Sequence, residues 1–411
     1  MATVKAFECV RPKKELADKI AALPYDVYNR TEALAEVEKE PMSFLKIDRA
    51  ETQFDESVDT YDERVYQKAH DILWEMIGDG SFVNDKEHAY YIYELVMDGR
   101  SQTGIVACAS IDDYANNVIK KHENTREEKE IDRIKHVDTC NAQTGPIFLA
   151  YRSNQTINEL VSAKMKEEAL YSFTAEDKVT HRVWKVGDKD SVELIANTFG
   201  AIGQIYIADG HHRAASAVKV GLKRRQESPN HIGNEEYNFF LSVLFPDDQL
   251  MILPYNRVVT DLNGLTKEAF LEQAAENFDI ESIGAKPFAP SEKGSFGMYL
   301  KDAWYKLTAK EHILSKDEVE GLDVSILQNH LLTPVLNIKD PRTDKRIDFI
   351  GGIRGLEELE RRVHSDMKVA FSMYPTKISE LFDVADANRL MPPKSTWFEP
   401  KLRSGLFIHT L

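Results

Sequence analysis

The chain has 411 residues, of which 42% are hydrophobic and 29% are charged. This length and composition suffice for two or three domains with buried cores and exclude an intrinsically disordered chain. Sixty-eight acidic against 52 basic residues give a formal charge of −16, which repels phosphate backbones and makes a nucleic-acid partner unlikely.

No segment of the sequence reads as a targeting or membrane signal. The opening MATVKAFECVRPKKE lacks a long apolar region, and the longest near-apolar run, Phe239–Phe245, is too short to span a bilayer. Cys9, Cys108 and Cys140 are too widely separated for a disulfide framework or a CxxC metal site. We therefore predict a cytoplasmic protein that has no membrane partner.

The first third of the chain mixes helical and strand patterns. A short helix leads to Pro24 and then to Asp26. The position of Asp26 after a proline suits an ordinary turn residue or a residue that takes part in chemistry. The pattern predicts a short strand at Phe44–Ile47. It also predicts an antiparallel hairpin from Ala89–Val96 and Thr103–Ile111, because Asp-Gly between two alternating runs is a strong hairpin signal.

A charged, helical segment follows at Asp113–Ala142 and precedes a predicted strand at Ile147–Tyr151. The run Lys120–Arg126, with sequence KKHENTR, lies in a break between two predicted helices. From its charge alone we interpret this run as a solvated face.

The second half of the chain is predicted to be α+β. Strand patterns at Phe239–Phe245 and Met251–Val259 precede an Asn-Gly turn, which sets a domain boundary near Asp261. Arg257, in the second strand, suits an ordinary surface position and an anion-binding position equally well.

The stretch with the densest group of reactive side chains is Gln204–Lys219, with sequence QIYIADGHHRAASAVK. Its pattern predicts a strand, a tight turn and a helix, with Asp209 as the N-cap and Gly210 in the turn. The side chains of His211, His212 and Arg213 are then expected in the first helical turn, where unpaired N–H groups favour an anion.

Two other interpretations fit this stretch. One is a plain capped helix whose histidines satisfy local hydrogen bonds. The other is a metal site, but adjacent histidines point about 100° apart on a helix and no HExxH pattern is present. We expect no dedicated metal site, and Mg²⁺ that arrives with a nucleotide suits the motif better.

Standard nucleotide motifs are missing from the sequence. Neither GxGxxG nor GxxxxGK[ST] occurs, and Lys394–Thr396 lacks the glycines of a P-loop. A nucleotide site would therefore have to be built differently.

Several motifs together resemble one large family of bacterial and archaeal proteins known as a domain of unknown function. They are LPYDV, NVIKKHENT, TGPIFLAY, YIADGHHRAA, ILPYNRVV and MPPKSTWFEPKLRSGLF, and they extend over nearly the whole chain. That family in turn resembles the free L-serine kinases and the ParB/sulfiredoxin-like fold.

The resemblance implies an α+β fold with two domains. Residues 1–260 would form a ParB/sulfiredoxin-like nucleotide-binding core that contains a large inserted α/β region at about 50–199. Residues 261–411 would form a C-terminal α+β domain.

The resemblance also implies roles for particular residues. The serine kinases have a proline, a histidine and a glutamate where this chain has Pro24-Tyr25-Asp26, so Asp26 takes the place of the catalytic base. Phosphates would be bound by the DGHHR motif, in which His212 also acts in catalysis: Asp209, Gly210, His211, His212 and Arg213. Substrate binding would fall to a second group: His122, Glu123 and Arg257.

The implied activity is phosphoryl transfer from ATP or ADP, with Mg²⁺, to a small hydroxyl substrate such as free L-serine. The alternatives are a ParB-like regulatory module that binds a nucleotide without kinase activity, and a metal-dependent phosphoester hydrolase. The acceptor, the choice between ATP and ADP, homo-oligomerisation and a contribution from Lys394–Thr396 stay open.

Overall fold

The computed structural model describes residues 1–411, which divide into two compact units. Unit 1 comprises Met1–Leu250 and Pro400–Leu411, and unit 2 comprises Met251–Glu399. The division therefore falls about ten residues before the predicted boundary. The last twelve residues, which the prediction assigned to the C-terminal domain, belong to unit 1.

The strands of the two units follow one another along the chain. Twelve lie in unit 1: β1 (Val4–Lys5), β2 (Cys9–Pro12), β3 (Phe82–Asn84), β4 (Tyr90–Met97), β5 (Arg100–Ser110), β6 (Ile119–Lys120), β7 (Ala142–Gln143), β8 (Ile147–Tyr151), β9 (Tyr171–Thr174), β10 (Thr180–Val186), β11 (Ile205–Asp209) and β12 (Phe239–Pro246). Eight lie in unit 2: β13 (Met251–Leu253), β14 (Tyr255–Val259), β15 (Phe278–Gly284), β16 (Ser295–Leu300), β17 (Ala303–Ala309), β18 (Ile347–Gly351), β19 (Val369–Ser372) and β20 (Trp397–Glu399). The last strand, β21 (Ile408–Thr410), returns to unit 1.

The helices are distributed in the same way. Nine lie in unit 1: α1 (Ala17–Ile20), α2 (Arg30–Lys39), α3 (Leu45–Asp48), α4 (Glu63–Gly78), α5 (Ile111–Ala115), α6 (Glu127–Cys140), α7 (Gln155–Lys164), α8 (Lys189–Ala201) and α9 (His211–Glu227). Four lie in unit 2: α10 (Lys267–Ala274), α11 (Asp323–Leu327), α12 (Glu357–Ser365) and α13 (Ile378–Asp386). The α+β class is thus confirmed, and none of these helices is long and apolar enough to cross a bilayer.

Unit 1 is built on a nine-stranded mixed sheet with the order β6-β11-β8-β12-β5-β4-β10-β9, and β1 pairs with β5. The buried apolar run IFLAY of β8 suits a strand with both faces covered, and β8 lies between β11 and β12. Ile157, Phe199 and Ala214 from the flanking helices join the core of this sheet. Because strands from inside and outside residues 50–199 share the sheet, this region is part of the main layer of unit 1.

The predicted hairpin is confirmed as β4 and β5, which pair antiparallel through Met97 and Arg100. Asp98 and Gly99 have φ values of 51° and 77°, as a two-residue turn with the twist of the strands requires. Asn and Asp tolerate this conformation best after glycine, so the local sequence suits the turn.

The chain end completes a second, four-stranded sheet in unit 1, with the order β3-β2-β21-β7. Leu406, Phe407 and Ile408, which precede or begin β21, are fully buried. This pairing explains why residues 400–411 belong to unit 1 despite their position in the sequence.

Unit 2 contains a six-stranded sheet with the order β15-β17-β16-β19-β14-β18 and a separate pair formed by β13 and β20. Its core includes Val258, Trp304 and Leu359, all fully buried. The helix α12 contributes Leu359 and packs against β19.

One short predicted strand is wrong. Leu45–Asp48 forms the helix α3, although the mostly apolar segment Phe44–Ile47 predicts a strand. Leu45 and Ile47 are both buried in this helix, and three apolar residues within four positions do not distinguish a buried strand from a buried helical turn.

Candidate functional site

The predicted strand, turn and helix are present as β11, Gly210 and α9. Gly210 has φ of 95°, a conformation that L residues with a side chain rarely adopt. A Cβ atom at this position would lie 3.0 Å from Nη2 of Arg213. The backbone conformation therefore favours glycine, and a side chain here would also press against the guanidinium of Arg213.

The predicted capping role of Asp209 is wrong. Gly210 occupies the N-cap position, and no side chain accepts a hydrogen bond there from the first turn of α9. The Oδ2 atom of Asp209 instead pairs with Nζ of Lys401 at 3.2 Å. A 17-residue helix thus begins without a side-chain cap, and its first N–H groups and dipole favour an anion.

Asp209 is a half-buried carboxylate that stays ionised. Burial alone would raise its pKa. The positive charges of Lys401 and Arg213 outweigh that effect, so the pKa of Asp209 lies well below the usual range. Sequence reasoning singled out the C-terminal tail through the family resemblance but did not assign Lys401 a role. Lys401 lies 192 positions from Asp209 in the sequence, so no local pattern predicts that the two side chains pair.

Arg213 is already engaged by the protein. Its Nη1 donates to the carbonyl oxygen of Pro146 at 2.6 Å. The side chain also lines a cavity of about 30 Å³, room for about one water, together with Tyr25, Asp48 and Arg133. Arg213 therefore supplies positive charge beside the turn while it ties the turn to Pro146, the residue before β8.

The two adjacent histidines point in different directions, as helical geometry predicts. The ring of His211 is buried, whereas His212 is half-buried. The Nε2 atom of His212 accepts a hydrogen bond from the backbone N–H of Arg126 at 3.0 Å. A neutral His212 ring therefore carries its proton on Nδ1.

The pKa of His212 is lowered by burial first. Arg126 and Lys129 lower it further, while Glu130 and Asp26 oppose the shift. The neutral ring, which can donate from Nδ1, is thus the favoured form near neutral pH.

Asp26 and Tyr25 lie near α9 although they are far away in sequence. They belong to a single 3-10 turn at Tyr25–Val27, and Asp26 is exposed. Asp26 is within electrostatic range of His212, and Tyr25 is within electrostatic range of Arg213. The guanidinium of Arg133 lies 4.0 Å from the centre of the Tyr25 ring, which fixes the turn.

His122 is buried, so the prediction of a solvated face is wrong for this part of Lys120–Arg126. The strand β6 pairs parallel with β11, with Ile119 opposite Ile205 and Lys120 opposite Tyr206. Continued two residues beyond the end of β6, this register brings His122 beside the end of β11. Pairing at the edge of the sheet thus takes Lys120 and His122 out of water, while Asn124 and Arg126 stay exposed.

His122 and His211 meet edge to face, with ring centres 4.4 Å apart and planes at 89°. Burial lowers the pKa of His122 to about 4, although Asp209 and the backbone of Ile207 oppose the shift. Burial also holds the pKa of His211 well below its usual value, and His122 lowers it further. Both rings are neutral in this setting.

Arg257 lies on β14 in unit 2, where it is buried. It donates to the carbonyl oxygens of Tyr255 and Lys394, and its guanidinium lies 5.4 Å from the centre of the Phe349 ring. Burial lowers its pKa to about 10. Of its two interpretations, the ordinary surface position is wrong.

The fold and the site define an α+β protein with a mixed sheet. Its candidate site lies where a strand, a glycine turn and a helix without a side-chain cap follow one another. The chain belongs to the family described as "Protein of unknown function (DUF1015)", which matches residues 4–325. This match confirms the family resemblance found in the motifs. No curated protein matches the sequence.

Among solved structures, the chain is similar to SbnI with a C-terminal truncation from Staphylococcus aureus, at 11% identity and a TM-score of 0.40, over 74% of this chain and 86% of that one. It is also similar to a variant of a free serine kinase in complex with AMP, at 13% identity and a TM-score of 0.36, over 74% and 91% of the two chains. A conserved hypothetical protein from Pyrococcus furiosus matches at 14% identity and a TM-score of 0.34, over 74% and 94%. These identities are too low to transfer the role of any residue.

Proposed function

We propose that the protein is a phosphotransferase that moves a phosphoryl group from ATP or ADP to the hydroxyl of a small substrate. The observation that carries the proposal is the helix α9, which starts without a side-chain cap while His212, in its first turn, is within electrostatic range of the exposed Asp26. An anion site and a carboxylate base are the two parts that such a transfer needs.

The phosphates of the nucleotide would bind at the first turn of α9. Backbone N–H groups there have no side-chain cap, and the helix dipole favours negative charge. The Nδ1–H of neutral His212 would donate to a phosphate oxygen, since its Nε2 already accepts from Arg126. Arg213 and Lys401 would add positive charge near Asp209.

Mg²⁺ carried by the nucleotide would neutralise phosphate charge when bound. Carboxylate oxygens are the ligands that this ion prefers, and Asp209 stays ionised near the turn. Asp209 is therefore the residue that we expect to hold the ion.

Asp26 would accept the proton of the substrate hydroxyl. As the hydroxyl oxygen bonds to phosphorus, the bond from phosphorus to the leaving nucleotide oxygen breaks, and the proton passes to the carboxylate. Exposure leaves Asp26 accessible to a small substrate from solution. Free L-serine is one candidate acceptor among small alcohols and hydroxy amino acids.

The test is isotopic transfer from ATP and from ADP, each labelled in its terminal phosphate, to a panel of hydroxy amino acids and small alcohols. We expect wild type to label at least one acceptor and Asp26→Asn to lower the rate by about 10²–10⁴-fold, the usual contribution of a general base. Asp18→Asn, at another exposed aspartate near the N-terminus, is the matched control and should keep the wild-type rate.

Two outcomes would sink this proposal: no transfer by wild type to any acceptor, or equal rates for wild type and Asp26→Asn. Calorimetry with the same nucleotides distinguishes the regulatory alternative. That alternative predicts binding of ATP or ADP without transfer.

A further inference from the structure

Two buried histidines in unit 1 leave polar atoms unsatisfied. Nδ1 of His122 and Nε2 of His211 are shielded from solvent and have no hydrogen-bond partner in the protein. Leaving one such group buried and unpaired costs about 1–3 kcal/mol. Two of them on rings in edge-to-face contact indicate that a further group completes the site.

Glu123 supplies a carboxylate beside these rings. One ligand atom from each of His122, Glu123 and His211 lies within 4.8 Å of the other two. The arrangement follows from topology, because β6 delivers His122 and Glu123 in sequence while the Gly210 turn delivers His211 from the neighbouring strand.

We propose that His122, Glu123 and His211 bind one divalent transition-metal ion. Two imidazoles and one carboxylate suit Zn²⁺, Fe²⁺, Mn²⁺ or Co²⁺, and three protein ligands leave a position open for water or substrate. With metal–ligand bonds of 2.0–2.2 Å, neighbouring ligand atoms in a tetrahedral site lie about 3.3 Å apart. The three side chains therefore need to close by no more than about 1.5 Å around the ion.

The surroundings favour a cation in two ways. The backbone of Ile207 hydrogen-bonds the His122 ring, which is the support that commonly orients a metal-binding histidine. Asp209 acts electrostatically on both rings, so its negative charge adds to that of Glu123. Lys121 acts on His211 in the opposite direction.

This site is distinct from the Mg²⁺ of the proposed phosphotransferase. Mg²⁺ prefers oxygen ligands, whereas this cluster offers two nitrogen ligands and one carboxylate. The metal proposal does not depend on phosphoryl transfer, and its test uses no nucleotide.

The experiment uses the full-length protein without an affinity tag, stripped with a chelator and titrated with Zn²⁺ and with Co²⁺ in a calorimeter. We expect one ion per chain and, for Co²⁺, a visible absorption spectrum typical of a protein-bound ion. Loss of a supporting partner outside the ligand shell already costs 10–100-fold in affinity, so His122→Asn and His211→Asn should each lose about 100-fold or more.

His212→Asn is the matched control, because this histidine is the next residue on the same helix and lies outside the cluster. It should bind the ion like wild type. Glu123→Gln should weaken binding while keeping the shape of the side chain. Circular dichroism checks that each variant is folded.

The proposal is overturned if stripped wild type binds neither ion stoichiometrically, or if the folded His122 and His211 variants bind as wild type does. If those variants fail to fold, wild type alone still decides. Zn²⁺ must then raise the thermal midpoint and a chelator must reverse it, and a crystal soaked with Zn²⁺ must show an anomalous peak between the rings; a water there contradicts the proposal.

Discussion

At the scale of single residues, Gly210 controls the geometry of the proposed phosphate site. Its positive φ and the approach of Arg213 both oppose a side chain. We expect Gly210→Ala to lower the free energy of unfolding by about 1–2 kcal/mol, the cost of holding an L residue in the left-handed region. Nucleotide binding should weaken as well, because the first turn of α9 would shift. Urea unfolding and calorimetry measure the two effects.

Gly200 provides the control for this substitution. It lies in α8, and a Cβ atom there would meet nothing within 4 Å. Gly200→Ala should therefore be neutral or stabilising by about 0.5–1 kcal/mol. Equal destabilisation at both glycines would contradict the role assigned to the Gly210 turn.

Residue types along the motif predicted an anion site, and the family resemblance, not local spacing, implied Asp26 as its partner; Lys401 followed from neither. The proximity of Asp26 to His212 joins positions 186 apart, and the pairing of Asp209 with Lys401 joins positions 192 apart. Without those partners, Asp209 was interpreted as a cap. Local patterns report spacing within one element, whereas these contacts are set by tertiary packing.

At the scale of elements, the start of α11 in unit 2 contains a buried carboxylate. Burial raises the pKa of Asp323 to about 7, although the backbone N–H of Gly294 donates a hydrogen bond to Oδ1 at 2.9 Å. The other oxygen, Oδ2, is buried and has no hydrogen-bond partner. The folded state therefore binds more protons than the unfolded state between about pH 4 and 7. The stability of unit 2 should be highest below this window and fall as pH rises through it.

Asp323→Asn removes this cost because an amide keeps the acceptor and carries no charge. We expect the substitution to stabilise unit 2 by about 2–4 kcal/mol at pH 8, since each pKa unit corresponds to about 1.4 kcal/mol, and to have little effect near pH 4. Urea unfolding at both pH values, with hydrogen exchange of unit 2 peptides, measures the change.

Asp383→Asn on α13, at an exposed position, is the control and should change neither value. A gain for Asp323→Asn that is the same at pH 4 and pH 8 would show that charge burial is not the cause.

The elements themselves were predictable where periodicity is long. The hairpin of β4 and β5, the strand β11 and the helix α9 all follow the sequence pattern. The strand β6 did not, because two residues next to a charged run carry no period. Its parallel pairing with β11 buries His122 and brings it against His211, so the missed strand explains why the sequence did not predict the contact between these two rings.

At the scale of the whole molecule, the chain forms two units of which the first is closed by the chain end. The strand β21 pairs with β2 and with β7. This pairing joins the two ends of the chain, from Cys9 and from Thr410, in one small sheet. The sequence predicted two α+β parts with a boundary near Asp261. It did not predict the return of the tail, because a three-residue strand gains its stability from partners distant in sequence.

In the proposed function, the first turn of α9 binds nucleotide phosphates beside Asp26. A crystal structure of the protein with ADP and Mg²⁺ tests it most directly. We expect phosphate oxygens within about 2.7–3.2 Å of the backbone N–H groups of His211–Arg213, with Asp26 facing the terminal phosphate. Ordered ADP whose phosphates bind elsewhere, with the first turn of α9 free of anion, would contradict it.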